Sequence, residues 1–162
     1  MPNTKPPTTD LETLQDKLNR ASERSLANYG FHIGATNDNA AMIREYLAED
    51  HGAEFGGIKV FMGSSTGNML VDDNEALSDL FRIQGKPILI HSEDEGIIKA
   101  NLEAAKAKFG EDIPFSEHPR IRNRKACIRS TAKALAMAIE YGTRLHVLHV
   151  STAEEVEMIR AA

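Results

Sequence analysis

The sequence predicts an α/β fold of parallel strands, on three observations. Short apolar runs alternate with segments whose apolar residues recur every three or four positions. Two of those runs, Pro87-Ile-Leu-Ile-His91 and Leu145 to Val150, are nearly continuous in apolar residues, as strands buried on both faces are. The links between segments are short and carry helix-capping residues or a glycine. Regular β/α alternation implies parallel strands with right-handed crossovers, either as an open doubly wound sheet or as an arc of a (β/α)8 barrel. A complete barrel needs about 250 residues, so a chain of 162 residues holds only part of one.

Each element follows from local signals. Pro2, Pro6 and Pro7 make the opening segment extended. Thr9 and Glu12 form a capping box ahead of Leu11, Leu14, Leu18 and Ala21, so a helix is expected from there to about Asn28. A short strand is expected over 31–35 and a helix over 39–49. Gly56-Gly57 leads into a strand over 58–62, followed by the loop Gly63-Ser-Ser-Thr-Gly-Asn68. Asp72 with Glu75 caps a helix running to Gln84, with Gly85 as its stop. After the strand 87–91, Ser92 and Glu95 cap a helix through Phe109, and 110–119 is a loop. A long helix over 120–141 carries five alanines suited to close packing (Ala126, Ala132, Ala134, Ala136 and Ala138) and ends at Gly142. After the strand 145–150, Ser151 and Glu154 cap a last helix. These are about four strand-helix units in one domain, residues 1–162, with no linker or low-complexity segment.

Composition narrows the function. The chain is 41% hydrophobic and 27% charged, which fits a globular domain and not a disordered or fibrous one. A net charge of -5, no tryptophan and 6% aromatic residues argue against a nucleic-acid surface. No run approaches the roughly 18 apolar residues of a membrane span, and Met1 to Thr9 has no apolar core of a secretory signal. One cysteine, Cys127, excludes an internal disulfide framework and suggests a reducing cytoplasm.

In parallel β/α folds chemistry sits at the C-terminal strand ends. His91 ends one predicted strand and His149 lies near the end of another, each shortly before a Ser-x-x-Glu. Either histidine alone reads more simply as a hydrogen-bonded core residue. Their equivalent placement sets a metal-ligand reading level with that one. Lys59, inside the apolar run Gly57 to Met62, is either an edge-strand lysine reaching water or an amine made neutral and nucleophilic by burial. A neutral amine can form a Schiff base or take up carbon dioxide as a carbamate, which can bridge two metals. His146 has opposite strand parity to His149, so it is expected to face the helices. His32 and His51 read as structural or surface residues, and His118 as a loop residue. The Gly63–Gly67 loop lacks the Gly-Lys-Ser/Thr ending of a phosphate loop, and Cys127 reads as a small hydrophobe.

Four segments occur in this order in dihydroorotases of the amidohydrolase superfamily. They are Met1-Pro-Asn-Thr-Lys-Pro-Pro-Thr8, Ile58-Lys-Val-Phe-Met62, Ile90-His-Ser-Glu93 and Leu145-His-Val-Leu-His-Val-Ser-Thr152, and the chain resembles that family over essentially its whole length. The resemblance implies part of a (β/α)8 barrel with a binuclear zinc centre. Lys59 matches the carbamylated lysine that bridges two zinc ions, His91 and His149 match two histidine ligands, and Asn3 matches an asparagine that binds the substrate carboxylate. The implied activity interconverts dihydroorotate and N-carbamoyl-aspartate, a small-molecule reaction of pyrimidine synthesis, and a homo-oligomeric parent is compatible with it. Allantoinases and dihydropyrimidinases share the lysine and both histidines. A non-catalytic amidohydrolase-like scaffold is a further alternative, as is an open α/β module with an anion site at Gly63 to Asn68. The family's first-strand His-x-His pair and its eighth-strand aspartate, the general base, have no counterpart in the chain. It therefore reads as a central piece of a dihydroorotase, expected to be inactive alone.

Overall fold

The structure is a computed structural model that describes residues 1–49, 55–63 and 68–162. His51 and the middle of the loop after Gly63 lie outside the described residues. Four strands alternate with helices: α1 (Leu11–Arg24), β1 (His32–Gly34), α2 (Ala40–Ala48), β2 (Gly57–Phe61), α3 (Asn74–Phe81), β3 (Ile88–His91) and α4 (Glu95–Phe109). A 3₁₀ turn over Phe115–Glu117 then leads into α5 (His118–Ile121), α6 (Arg124–Tyr141), β4 (Leu145–Val147) and α7 (Ala153–Ala161). The strands form one sheet in the order β1-β2-β3-β4, and every pairing is parallel. Sequence neighbours stay adjacent throughout. That is the order of a barrel arc, and it excludes a doubly wound sheet with a switch point.

Register divides the sheet into two faces. Ile58 pairs with Ile88, Val60 with Ile90, and Ile90 with Val147. These residues pack with Leu77, Leu80, Phe81 and Ala134 as the core between sheet and helices. Each fully buried isoleucine there contributes roughly 1.5–3 kcal/mol of transfer free energy. The other face, toward the barrel axis, carries Lys59 opposite Leu89, Leu89 opposite His146, and Phe61 opposite His91. His146 therefore shares the face of Lys59 and does not turn to the helices. The parity argument misplaced it because β4 stops at Val147, before His149, so alternation cannot be counted from one histidine to the other.

Helix starts differ from expectation by one or two residues, because the nearest free carboxylate or hydroxyl takes the cap. Asp10 caps α1, Asp73 caps α3, Asp94 caps α4 and Thr152 caps α7, each accepting from the backbone N–H three residues on. α1 ends at Arg24 because its apolar stripe stops, leaving Leu26 fully exposed. The helix expected from Arg120 is broken: Arg122 leaves helical geometry at φ -96° and ψ 71°, and Asn123 caps a new start at Arg124. Of the alanines on α6, Ala126 and Ala134 are buried, whereas Ala132 and Ala136 face outward. Gly142, at φ 67°, ends α6 in the left-handed conformation open to glycine.

Candidate active site

His91 is the last residue of β3, where a regular strand delivers its side chain to the inner face. His149 lies two residues beyond β4, in a turn with φ 40°, a positive value uncommon outside glycine, although histidine, asparagine and aspartate adopt it more often than other residues. That turn brings its ring over the sheet end. His91 Nδ1 and His149 Nε2 are 3.1 Å apart, and the rings meet edge to face at 4.9 Å. Two imidazoles on one tetrahedral zinc hold their nitrogens about 3.3 Å apart, so the pair fits a shared metal position.

Lys59 stands one layer deeper on the same face. It is fully buried in an interior strand, which removes the reading of an edge lysine reaching water. Its Nζ donates to the Val60 carbonyl at 2.9 Å and lies 3.6 Å from the centroid of the Phe61 ring. Burial pulls its pKa from the usual 10.5 to about 7. The amine is therefore substantially neutral at physiological pH, the form that reacts with carbon dioxide. The same Phe61 ring also neighbours His91, with ring centroids 6.1 Å apart. No group of three or more His, Cys, Asp or Glu side chains that would hold a metal occurs among the described residues. Among the described residues, the nitrogen groups gathered on this face are the two imidazoles and, one layer deeper, the Lys59 amine.

Several residues missed by sequence reasoning organise the site. Glu93 Oε2 lies 2.7 Å from His91 Nε2. Arg122 grips the same carboxylate, with Nε 3.0 Å from Oε1 and Nη2 on Oε2. Burial alone would raise the Glu93 pKa, but the bonds from His91 and Arg122 outweigh it and hold the carboxyl at about 2. Gly63 permits this packing, since a Cβ there would fall 2.3 Å from the Glu93 carbonyl oxygen. A second chain of buried polar groups links the two histidine-bearing turns. Thr131 Oγ1 is 2.9 Å from Ser92 Oγ and 2.8 Å from Glu155 Oε1, and Thr152 donates to Glu155 Oε2 at 2.8 Å. Thr131 has one hydroxyl hydrogen, so it donates to the carboxylate and accepts from Ser92. The sequence pointed to this network only at Ser92, expected as a helix cap, and at Thr152, the end of a matched motif.

His91, Glu93, Arg122, Cys127 and His149 line a cleft of about 320 Å³, and exposed His118 lines it too, at the start of α5 and not on a plain surface loop. Burial raises the Cys127 pKa, which keeps it a thiol and fits a packing role. Asn3 lies apart from these residues, exposed on the N-terminal segment, which docks on β1 through the Gly34 N–H to Thr8 O bond of 2.7 Å. A larger groove of about 520 Å³ runs between that segment and α1, beside Phe31. None of the residues of the histidine cleft lines it.

No protein-family profile matches the chain. Individual proteins do. A dihydroorotase of Methanosarcina mazei is 36% identical over 98% of the chain and 34% of its own length. An allantoinase of Desulfitobacterium hafniense is 30% identical over 99% of the chain and 35% of its own length. The solved L-hydantoinase (dihydropyrimidinase) of Arthrobacter aurescens superposes with a TM-score of 0.87 at 30% identity, over 99% of the chain and 35% of that structure. The chain thus spans about a third of the length of the relatives it matches. By motif order, strand order and these matches, it is a dihydroorotase-like chain of the amidohydrolase superfamily, in the cyclic-amidohydrolase branch.

Proposed function

We propose that this chain supplies the central strands and half of the metal-binding side chains of a dihydroorotase, which opens and closes the ring of dihydroorotate. One observation carries the reading: His91 and His149 converge to 3.1 Å at the C-terminal strand ends, on the face that also holds a buried lysine whose pKa burial lowers to about 7. His91 Nδ1 and His149 Nε2 would hold one zinc. Lys59 would reach a second zinc after carbamylation, in which Nζ bonds to the carbon of carbon dioxide and releases one proton. The product is an anionic carboxylate in place of an amine, matched to a divalent cation that the bare amine would repel. Bound zinc supplies Lewis acidity toward the scissile amide carbonyl and lowers the pKa of water. Asn3 would hold the substrate carboxylate through its amide. Dihydroorotase is favoured over allantoinase by the pairing of Met1–Thr8 with His146–Thr152 in one chain.

The test has two arms. Zinc titration of the full chain with bicarbonate should show binding that His91→Asn and His149→Asn each abolish, and zinc uptake indifferent to both substitutions would sink the site. The gene product that includes the flanking reading frame should hydrolyse dihydroorotate, and Lys59→Ala should remove most of that activity, with partial recovery in short carboxylic acids. Turnover of allantoin or a hydantoin, with none of dihydroorotate, would keep the reaction class and replace the substrate.

A further inference from the structure

We propose that Arg122 is a positioning residue for His91: acting through Glu93, it fixes the Nε2–H tautomer of that ring and so turns the Nδ1 lone pair toward His149. The purpose of this clamp rests on the metal-site reading above, whereas its geometry does not.

Arg122 engages both oxygens of Glu93, Nε on Oε1 at 3.0 Å and Nη2 on Oε2. A carboxylate gripped by both arms of a guanidinium is ionised and only accepts. Glu93 Oε2 also lies 2.7 Å from His91 Nε2, so the hydrogen between them sits on the ring nitrogen. Arg122 Nη2, 3.4 Å from the same nitrogen, is a second donor and makes no bond to it. In a neutral ring Nδ1 then carries the lone pair, and Nδ1 is the atom that faces His149 Nε2. Without the guanidinium, Glu93 is free to rotate away from the ring, and either tautomer becomes available.

The helix break gives Arg122 this reach. Its own N–H closes the turn of α5 onto the His118 carbonyl at 2.9 Å, and Asn123 restarts the chain as α6. The residue between the two helices is therefore aimed at the end of β3, 31 positions earlier in the sequence. A lysine at 122 would carry the charge without the two-pronged geometry.

The test reads the tautomer directly. In the full chain labelled with ¹⁵N-histidine, two-bond ¹H–¹⁵N correlation spectra should show His91 as a single Nε2–H tautomer, the resonance being identified by its loss in His91→Asn. Arg122→Met should replace that signature with averaged tautomers and weaken zinc binding about tenfold to a hundredfold in chelator competition. Arg122→Lys should recover part of both. Retention of the Nε2–H tautomer in Arg122→Met overturns the clamp, and loss of the tautomer with unchanged zinc affinity overturns its link to the metal. If Arg122→Met does not fold by circular dichroism, Glu93→Gln is read by the same criteria. A wild-type chain that shows the tautomer and binds no zinc counts against the metal site and not against the clamp.

Discussion

His91 and His149 meet at one point but arrive by opposite means. His91 is held in place: it ends a regular strand, its side chain is 15% exposed, and a carboxylate–guanidinium pair grips its far nitrogen. His149 is exposed, beyond the last hydrogen-bonded residue of its strand, at φ 40°. Its ring is steered by the backbone, and its one ring contact of hydrogen-bond length is to His91. The difference separates two ways of placing a ligand. At β3 the protein stabilises the side chain, and at β4 it tolerates a strained turn that the surrounding structure fixes. On the proposed reading metal binding needs both rings, while the contacts that bear on stability surround only His91.

Substituting both sites with alanine breaks the comparison most sharply. His91→Ala and His149→Ala should each abolish zinc binding. Their effects on the metal-free fold should differ. His91→Ala leaves buried Glu93 without one of its donors and should cost about 1–3 kcal/mol in urea unfolding. His149→Ala removes an exposed ring and should stay within about 0.5 kcal/mol of wild type. Equal losses would show that the two strand ends are held alike.

Lys59 extends the contrast to β2, where a buried lysine weighs against stability. A lysine with pKa about 7 in the fold and 10.5 when exposed penalises folding below pH 7, where both states carry the proton. Between those values the unfolded chain binds the proton and the native chain does not, so stability rises with pH by up to about 1.4 kcal/mol per unit. Metal-free Lys59→Met should therefore be more stable than wild type by a few kcal/mol near pH 6. The gap should narrow from pH 7 toward 10.5 in buffers free of carbon dioxide. A gap that is constant with pH would mean that the native lysine keeps its charge.

The strain at His149 should be measurable by itself. A β-carbon at positive φ costs roughly 1–2 kcal/mol, partly offset by the greater chain entropy of glycine. His149→Gly should thus be about 0.5–1 kcal/mol more stable than His149→Ala, since both lack the ring and differ only at Cβ. Equal stability would place the turn outside the strained region.

The sheet, the strand order of an arc and the approach of Lys59, His91 and His149 to one face were legible because they follow from periodicity and motif order. Apolar runs fix strands, and a lysine inside one of them announces itself by its cost. What stayed hidden depends on where regularity ends. The helix break at Arg122 has no proline at the break itself to mark it, only Asn123 as a capping residue in a helix-favouring stretch. Glu93 was legible only as the end of the Ile90–Glu93 motif and not as the partner of an arginine 29 positions away. His149 was identified by its motif, and the parity argument beside it failed because a strand of three residues ends before the histidine it was used to orient.

His146 tests that failure. It pairs with Leu89, which pairs with Lys59, so all three side chains share the inner face. The helix-side positions of β4 belong instead to Leu145 and Val147, which pack against the core. His146 is exposed and lies outside the network that joins His91, Glu93 and Arg122. His146→Asn should therefore change unfolding stability by no more than about 0.5 kcal/mol, the range of an exposed position. It should also leave zinc affinity within a factor of two, since its ring sits one layer below the histidine pair. A ring packed among the helices would instead cost 1–3 kcal/mol when replaced by a buried amide lacking partners. Urea unfolding of the metal-free chain separates the two placements, and a loss of that larger size would return His146 to the helix layer and reverse the register of β4.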